Sequence, residues 1–196
     1  MATASQIVGQ HFFKRWVLAT FGGWLLGVVV TILLAAISEG VHLGNQFAVG
    51  IGMGWGVGFA QWRIARKWFG ATSLWMWATV VAMGMPFVLT DVIAKQSFGN
   101  ERIFLFLNVA LGALLLGLFE WLILRTQSKR AHLCIFMNIV GWMLPAVGIS
   151  LMPSGHPESF LAIIFNISVV AFGGVVLGIV SGVFIVWMLQ LHPSAS

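Results

Sequence analysis

Gly58-Phe59-Ala60-Gln61-Trp62-Arg63-Ile64-Ala65-Arg66 and Gly117-Leu118-Phe119-Glu120-Trp121-Leu122-Ile123-Leu124-Arg125 agree at the glycine, the tryptophan, the isoleucine and the final arginine, at an offset of 59 residues. The same offset lays Leu74, Val81, Pro86 and Val88 on Leu133, Val140, Pro145 and Val147. It also lays Trp16, Ala19, Thr20 and Val29 on Trp75, Ala78, Thr79 and Val88. Every matching segment is apolar and long. The chain therefore reads as one helical hairpin present three times, in units near 14–72, 73–131 and 132–192. The last helix follows an offset of 61 rather than 59.

Composition places these hairpins in a bilayer. Hydrophobic residues make up 60% and charged residues 8% of the 196 residues, and the mean hydropathy is +1.00. So few charges cannot cover a water-soluble domain of this size. A helix crosses the hydrocarbon core with roughly 20 apolar residues, and six stretches qualify: 16–37, 45–65, 74–94, 103–124, 133–152 and 160–188. The first exceeds the roughly 7–15 apolar residues of a signal peptide and reads as a retained span. The expected fold is all-α: a single transmembrane domain over residues 1–196, with six transmembrane helices arranged as three repeated hairpins.

The charges are sorted by side. Lys14, Arg15, Arg63, Arg66, Lys67, Arg125, Lys129 and Arg130 flank one set of helix ends, whereas Glu39, Asp91, Lys95, Glu101, Arg102 and Glu158 flank the other. The positive-inside rule puts both termini in the cytoplasm. The basic balance suits anionic head groups. The lipid bilayer is the expected partner, alongside other membrane subunits; nucleic acid is not, because no basic domain exists to bind it.

Small residues recur at four-residue spacing, at Gly50, Gly54 and Gly58, at Ala113 and Gly117, and at Gly174, Gly178 and Gly182. Such stripes let helix backbones approach closely in lipid. A polar residue follows on the same face of each even helix: Gln61, Glu120 and Ser181. Thr20, Thr79 and Asn138 lie at a similar depth on the odd helices. The repeat thus predicts a layer of six polar groups. Gathering of the three even helices at the centre would make Gln61, Glu120 and Ser181 converge, within crosslinking range of one another at positions 58, 117 and 178.

Glu120 is the sole acid within a span. A charge at the bilayer centre costs about 2.5–3.5 kcal/mol on insertion scales, so Glu120 is either a proton, cation or ligand anchor, or an acid hydrogen-bonded near the interface. Pro86 and Pro145 each free a carbonyl four residues earlier, at Ala82 and Gly141. Seven of the ten tryptophans sit near the basic boundary, as an aromatic belt would; Trp24, Trp55 and Trp142 lie deeper, where they pack or stack on a flat ligand. The five histidines lie at helix ends or in connections, and Glu39, His42, His156 and Glu158 share the non-basic side. Asp91 and Lys95 have the spacing of a helical ion pair. Cys134 alone cannot form an internal disulfide. Zinc-protease, nucleophile-elbow and phosphate-loop signatures are absent, no motif specifies a cofactor, and an enzyme is not expected.

The recurring Gly-x-x-Gln/Glu-Trp-x-x-x-Arg, with Gly141-Trp142, resembles a loose group of bacterial integral membrane proteins with six spans and internal repeats, frequent in cyanobacteria. Ser181-Gly182 departs from the Gln/Glu-Trp pair. The resemblance implies a bacterial membrane, inner or thylakoid-type, and attaches no activity. The leading expectation is a non-enzymatic accessory or packing subunit of a larger membrane complex. The alternatives are a small-molecule binder or transporter with a polar site near the cytoplasmic side, and a pigment, quinone or lipid binder. The candidate site residues are Glu120, Gln61, Ser181, Thr20, Thr79, Asn138, Trp24 and Trp142.

Overall fold

The computed structural model describes residues 4–40, 46–93, 101–152 and 159–190. They form six helices: α1 (Ala4–Gly40), α2 (Gln46–Phe69), α3 (Leu74–Ile93), α4 (Glu101–Leu124), α5 (Leu133–Ser150) and α6 (Phe160–Gln190). The described residues contain no strand. Five of the helices are long and apolar enough to cross a membrane. The exception is α2, whose glycines, Gln61, Arg63, Arg66 and Lys67 lower its hydropathy. The first helix starts at Ala4, earlier than the apolar run suggests, because no proline breaks the segment before Trp16. Pro86 and Pro145 sit inside helices that continue past them; neither helix is broken.

Each helix packs on its neighbours in sequence, and α1 packs on α6. The six therefore close into a ring. Contacts run in opposite directions along each pair: Gly23 meets Val57 and Gly27 meets Met53 between α1 and α2, while Gly178 meets Val17 and Gly174 meets Trp24 between α6 and α1. Neighbours are thus antiparallel all the way round. The even helices do not gather at the centre. No Cα–Cα approach within 8 Å joins α2, α4 and α6 to one another among the described residues, because their small-residue faces are occupied by the odd helices beside them.

The tightest packing surrounds α2. Its glycines alternate, and at helical spacing they form two faces rather than one. Gly50, Gly54 and Gly58 lie against α3: a Cβ at Gly50 would fall 2.6 Å from the Met83 carbonyl oxygen, and one at Gly54 3.0 Å from that of Thr79. Gly52 and Gly56 lie against α1, at Thr31 and at Gly23 and Gly27. The second face is not evident from a search for a single stripe. On the other side of the ring, Gly117 seats α5 at Cys134 and Ile135, and Gly173 and Gly174 make a bed for the Trp24 ring.

The ends are tied locally. Gly70, at φ 69°, turns the chain between α2 and α3 in the left-handed region that glycine adopts freely. At the opposite end of the ring, the Asp91 carboxylate accepts the backbone N–H groups of Gln46 (3.2 Å) and Phe47 (2.6 Å). Asp91 of α3 therefore caps the N-terminus of α2, where a negative charge is favoured. Its expected partner Lys95 lies outside the described residues, as do His42, His156 and Glu158.

Two outcomes follow from the ring. Cysteines at positions 17 and 178 should form a disulfide readily, whereas those at 58, 117 and 178 should not link to one another on a non-reducing gel. Gly56→Leu should cost about 1–3 kcal/mol or more through overpacking, read as a lowered Tm in detergent. Gly22→Leu, where a Cβ meets nothing within 4 Å, should leave Tm unchanged.

Candidate functional site

On every helix a buried polar residue stands between two buried residues four positions away on either side. The sets are Trp16–Thr20–Trp24, Val57–Gln61–Ala65, Trp75–Thr79–Met83, Leu116–Glu120–Leu124, Cys134–Asn138–Trp142 and Leu177–Ser181–Ile185. Four residues is just over one helical turn, so each set forms a stripe along the inner face. The flanking residues on the basic side belong to one apolar cluster, built around Phe12, Trp16, Trp75, Met137 and Ile185. Those on the other side belong to a second, built around Trp24, Met83, Phe87, Leu116 and Trp142. The six polar groups thus occupy a layer between two apolar plugs.

Within the layer the groups pair across helix seams. Gln61 Nε2 donates to Thr20 Oγ1 at 3.3 Å. Asn138 Nδ2 donates to Glu120 Oε2 at 2.7 Å and to the Cys134 carbonyl at 2.9 Å. Trp16 Nε1 donates to Ser181 Oγ at 2.9 Å, and that hydroxyl donates to the Leu177 carbonyl at 2.7 Å. Thr79 Oγ1 donates back to the Trp75 carbonyl at 3.0 Å. Gln61, Glu120 and Ser181 consequently each face a neighbouring odd helix instead of one another. Glu120 is 2% exposed, and Asn138 is its amide donor. Arg66 is directed elsewhere, with its guanidinium 5.7 Å from the Trp62 ring centroid.

Within the second cluster, on the side away from the polar layer, lies a cavity of about 200 Å³ to which all six helices contribute. Trp24 and Trp142 form its floor, with ring centroids 5.8 Å apart at 37°. Met53, Met83, Phe87 and Val109 line the walls. Trp24 is fixed by its indole N–H, which donates to the Val170 carbonyl at 2.8 Å. Thr31 also lines the cavity, but its hydroxyl oxygen lies against Gly52. Ile32 both lines the cavity and is 62% exposed, so the cavity reaches the outer surface of the ring there.

The ring brings together Trp24 and Trp142, Gln61 and Thr20, and Glu120 and Asn138. It does not bring the six polar residues into one network. Sequence reasoning misses the cavity walls on α2, α3 and α4, since Met53, Met83 and Val109 look like ordinary apolar residues. It also misses Asn108, buried on α4, whose Oδ1 accepts the Thr90 hydroxyl at 2.8 Å; an asparagine inside an apolar run is the available signal. The belt reading needs correction. Trp16 and Trp75 are core residues of the first plug, while Trp77 and Trp187 face outward. The indole N–H groups of Trp62, Trp68 and Trp75 have no partner in the structure.

The chain matches no protein-family model, no curated protein and no solved structure.

Substitutions in the polar layer separate chemistry from packing. Glu120→Gln should keep the fold and its Tm, since the Gln carbonyl accepts from Asn138 as the carboxyl does. Asn138→Leu should cost about 1–2 kcal/mol, the scale of a side-chain hydrogen bond between membrane helices, measured by thermal unfolding in detergent.

Proposed function

We propose that this chain is a six-span, non-enzymatic protein of a bacterial membrane that holds a hydrocarbon chain, acyl or isoprenoid, in its axial cavity. The observation that carries this reading is the cavity itself: apolar, on the axis, and built by all six helices. A cavity of roughly 150 Å³ holds a single aromatic ring and stays dry when empty. One of about 200 Å³ suits a short length of hydrocarbon chain. A quinone head group fits less well, because the lining offers its carbonyl oxygens at most the Thr31 hydroxyl and the Trp142 indole N–H, and burying unpaired polar atoms is costly. A hydrocarbon chain needs no donors. Entry beside Ile32, directly from the bilayer, suits such a ligand.

The same geometry argues against conduction. The polar layer is covered by an apolar plug on each side, and its groups are used in pairing helices. Membership of α2 among the spans is supported by its place between α1 and α3, which are both apolar enough to cross a bilayer. The three-hairpin origin is supported by the stripes, since Trp16–Thr20–Trp24, Trp75–Thr79–Met83 and Cys134–Asn138–Trp142 recur at the offset of 59 residues. The cluster of basic residues at one end supports cytoplasmic termini.

The test is extraction of the purified protein with organic solvent and mass spectrometry of what is released. The wild type should carry a hydrocarbon-chain lipid in stoichiometric amount, and Ala146→Phe, which intrudes into the cavity, should carry much less while remaining folded. A wild-type preparation with no such molecule, but with a stoichiometric partner chain, would replace this reading with that of an accessory subunit.

A further inference from the structure

A second site lies outside the ring, on the seam between α1 and α6. The glycine stripe of α6 ends at Gly182, where a Cβ would fall 3.0 Å from the Phe13 ring. Beyond it the small residues give way to Val183, Val186 and Trp187, and the two helices no longer fit closely. A groove of about 620 Å³ opens there. Its floor is apolar, from Phe13, Val183 and Val186, and its rim carries Gln10, Lys14 and Trp187. The Trp187 ring holds a further cation, with the Arg130 guanidinium 5.0 Å from its centroid.

We propose that this groove binds one anionic phospholipid. The apolar floor takes the start of an acyl chain, which lies along the exposed Val183. Lys14 and Arg130 flank the phosphate, with Gln10 as a further donor. Charge complementarity selects an anionic head group, because eight of the ten Lys/Arg of the chain lie at this end. Among the described residues of this end, the one acid is Glu120, which is buried with Asn138. The site is separate from the axial cavity and stands whether or not the cavity holds a ligand.

The experiment reconstitutes the full chain in vesicles of phosphatidylglycerol and phosphatidylcholine, extracts it in mild detergent and counts retained phospholipid by native mass spectrometry. The wild type should retain one phosphatidylglycerol per chain. Lys14→Gln with Arg130→Gln should weaken it by roughly fivefold for each cation removed. Arg125→Gln with Lys129→Gln, an equal charge change elsewhere at the same end, should not weaken it. Val183→Trp, which obstructs the apolar floor and leaves every cation in place, should markedly weaken the adduct. Equal retention of phosphatidylcholine, no retained lipid in the wild type, equal loss in both double variants, or an adduct undiminished by Val183→Trp would each overturn the proposal.

Discussion

Backbone contact between α2 and its two neighbours is the constraint on which the rest of this molecule depends. In lipid, helices gain little by hiding apolar side chains from a solvent that is itself apolar, so association rests on close packing and interhelical hydrogen bonds. The two glycine faces of α2 let α1 and α3 approach to backbone distance on both sides. This arrangement uses the least hydrophobic helix of the six as the one most closely enclosed by protein. Where glycines are sparser, as along α3 and α4, larger side chains reach inward. The mixture of thin and thick seams sets the width of the ring and leaves space on its axis.

The polar layer then specifies which helix meets which. Each of its interhelical bonds crosses a particular seam: α1 to α2 through Thr20 and Gln61, α4 to α5 through Glu120 and Asn138, and α6 to α1 through Ser181 and Trp16. Apolar plugs above and below exclude water, so a mispaired helix would leave a buried donor or acceptor unsatisfied. That penalty, rather than a large net gain, is what such groups contribute. Glu120 belongs to this account as an acceptor held by the Asn138 amide, whereas Gln61 acts on its own seam as the donor to Thr20.

Much of this was legible in the sequence, for a physical reason. Positions that repeat at fixed offset among glycine, proline, tryptophan and polar residues mark backbone proximity and buried pairing, and these are the positions the ring uses. Thr20, Gln61, Thr79, Glu120, Asn138 and Ser181 could be assigned a common depth by counting residues. Their partners could not be assigned, since depth does not reveal rotation about the helix axis. For the same reason Trp16 and Trp75 looked like interface anchors, because a tryptophan near a helix end is equally suited to lipid head groups and to a packed core. The cavity had no signature at all. It is a volume left by six helices together, and no single stretch of sequence encodes it.

Every seam of the ring but one joins helices adjacent along the chain. The α1–α6 seam joins the first of these helices to the sixth, and it forms only once the sixth is present. During synthesis the inner face of α1, with Trp16 and Trp24, lacks its α6 partners until Ser181, Val170 and the Gly173–Gly174 bed are made. An open chain of five helices precedes a closed one of six, and completion of the cavity floor coincides with closure. The seam is thus a built-in checkpoint of assembly: Trp24 reaches its final place only in a molecule that has been made to the end of its sixth helix.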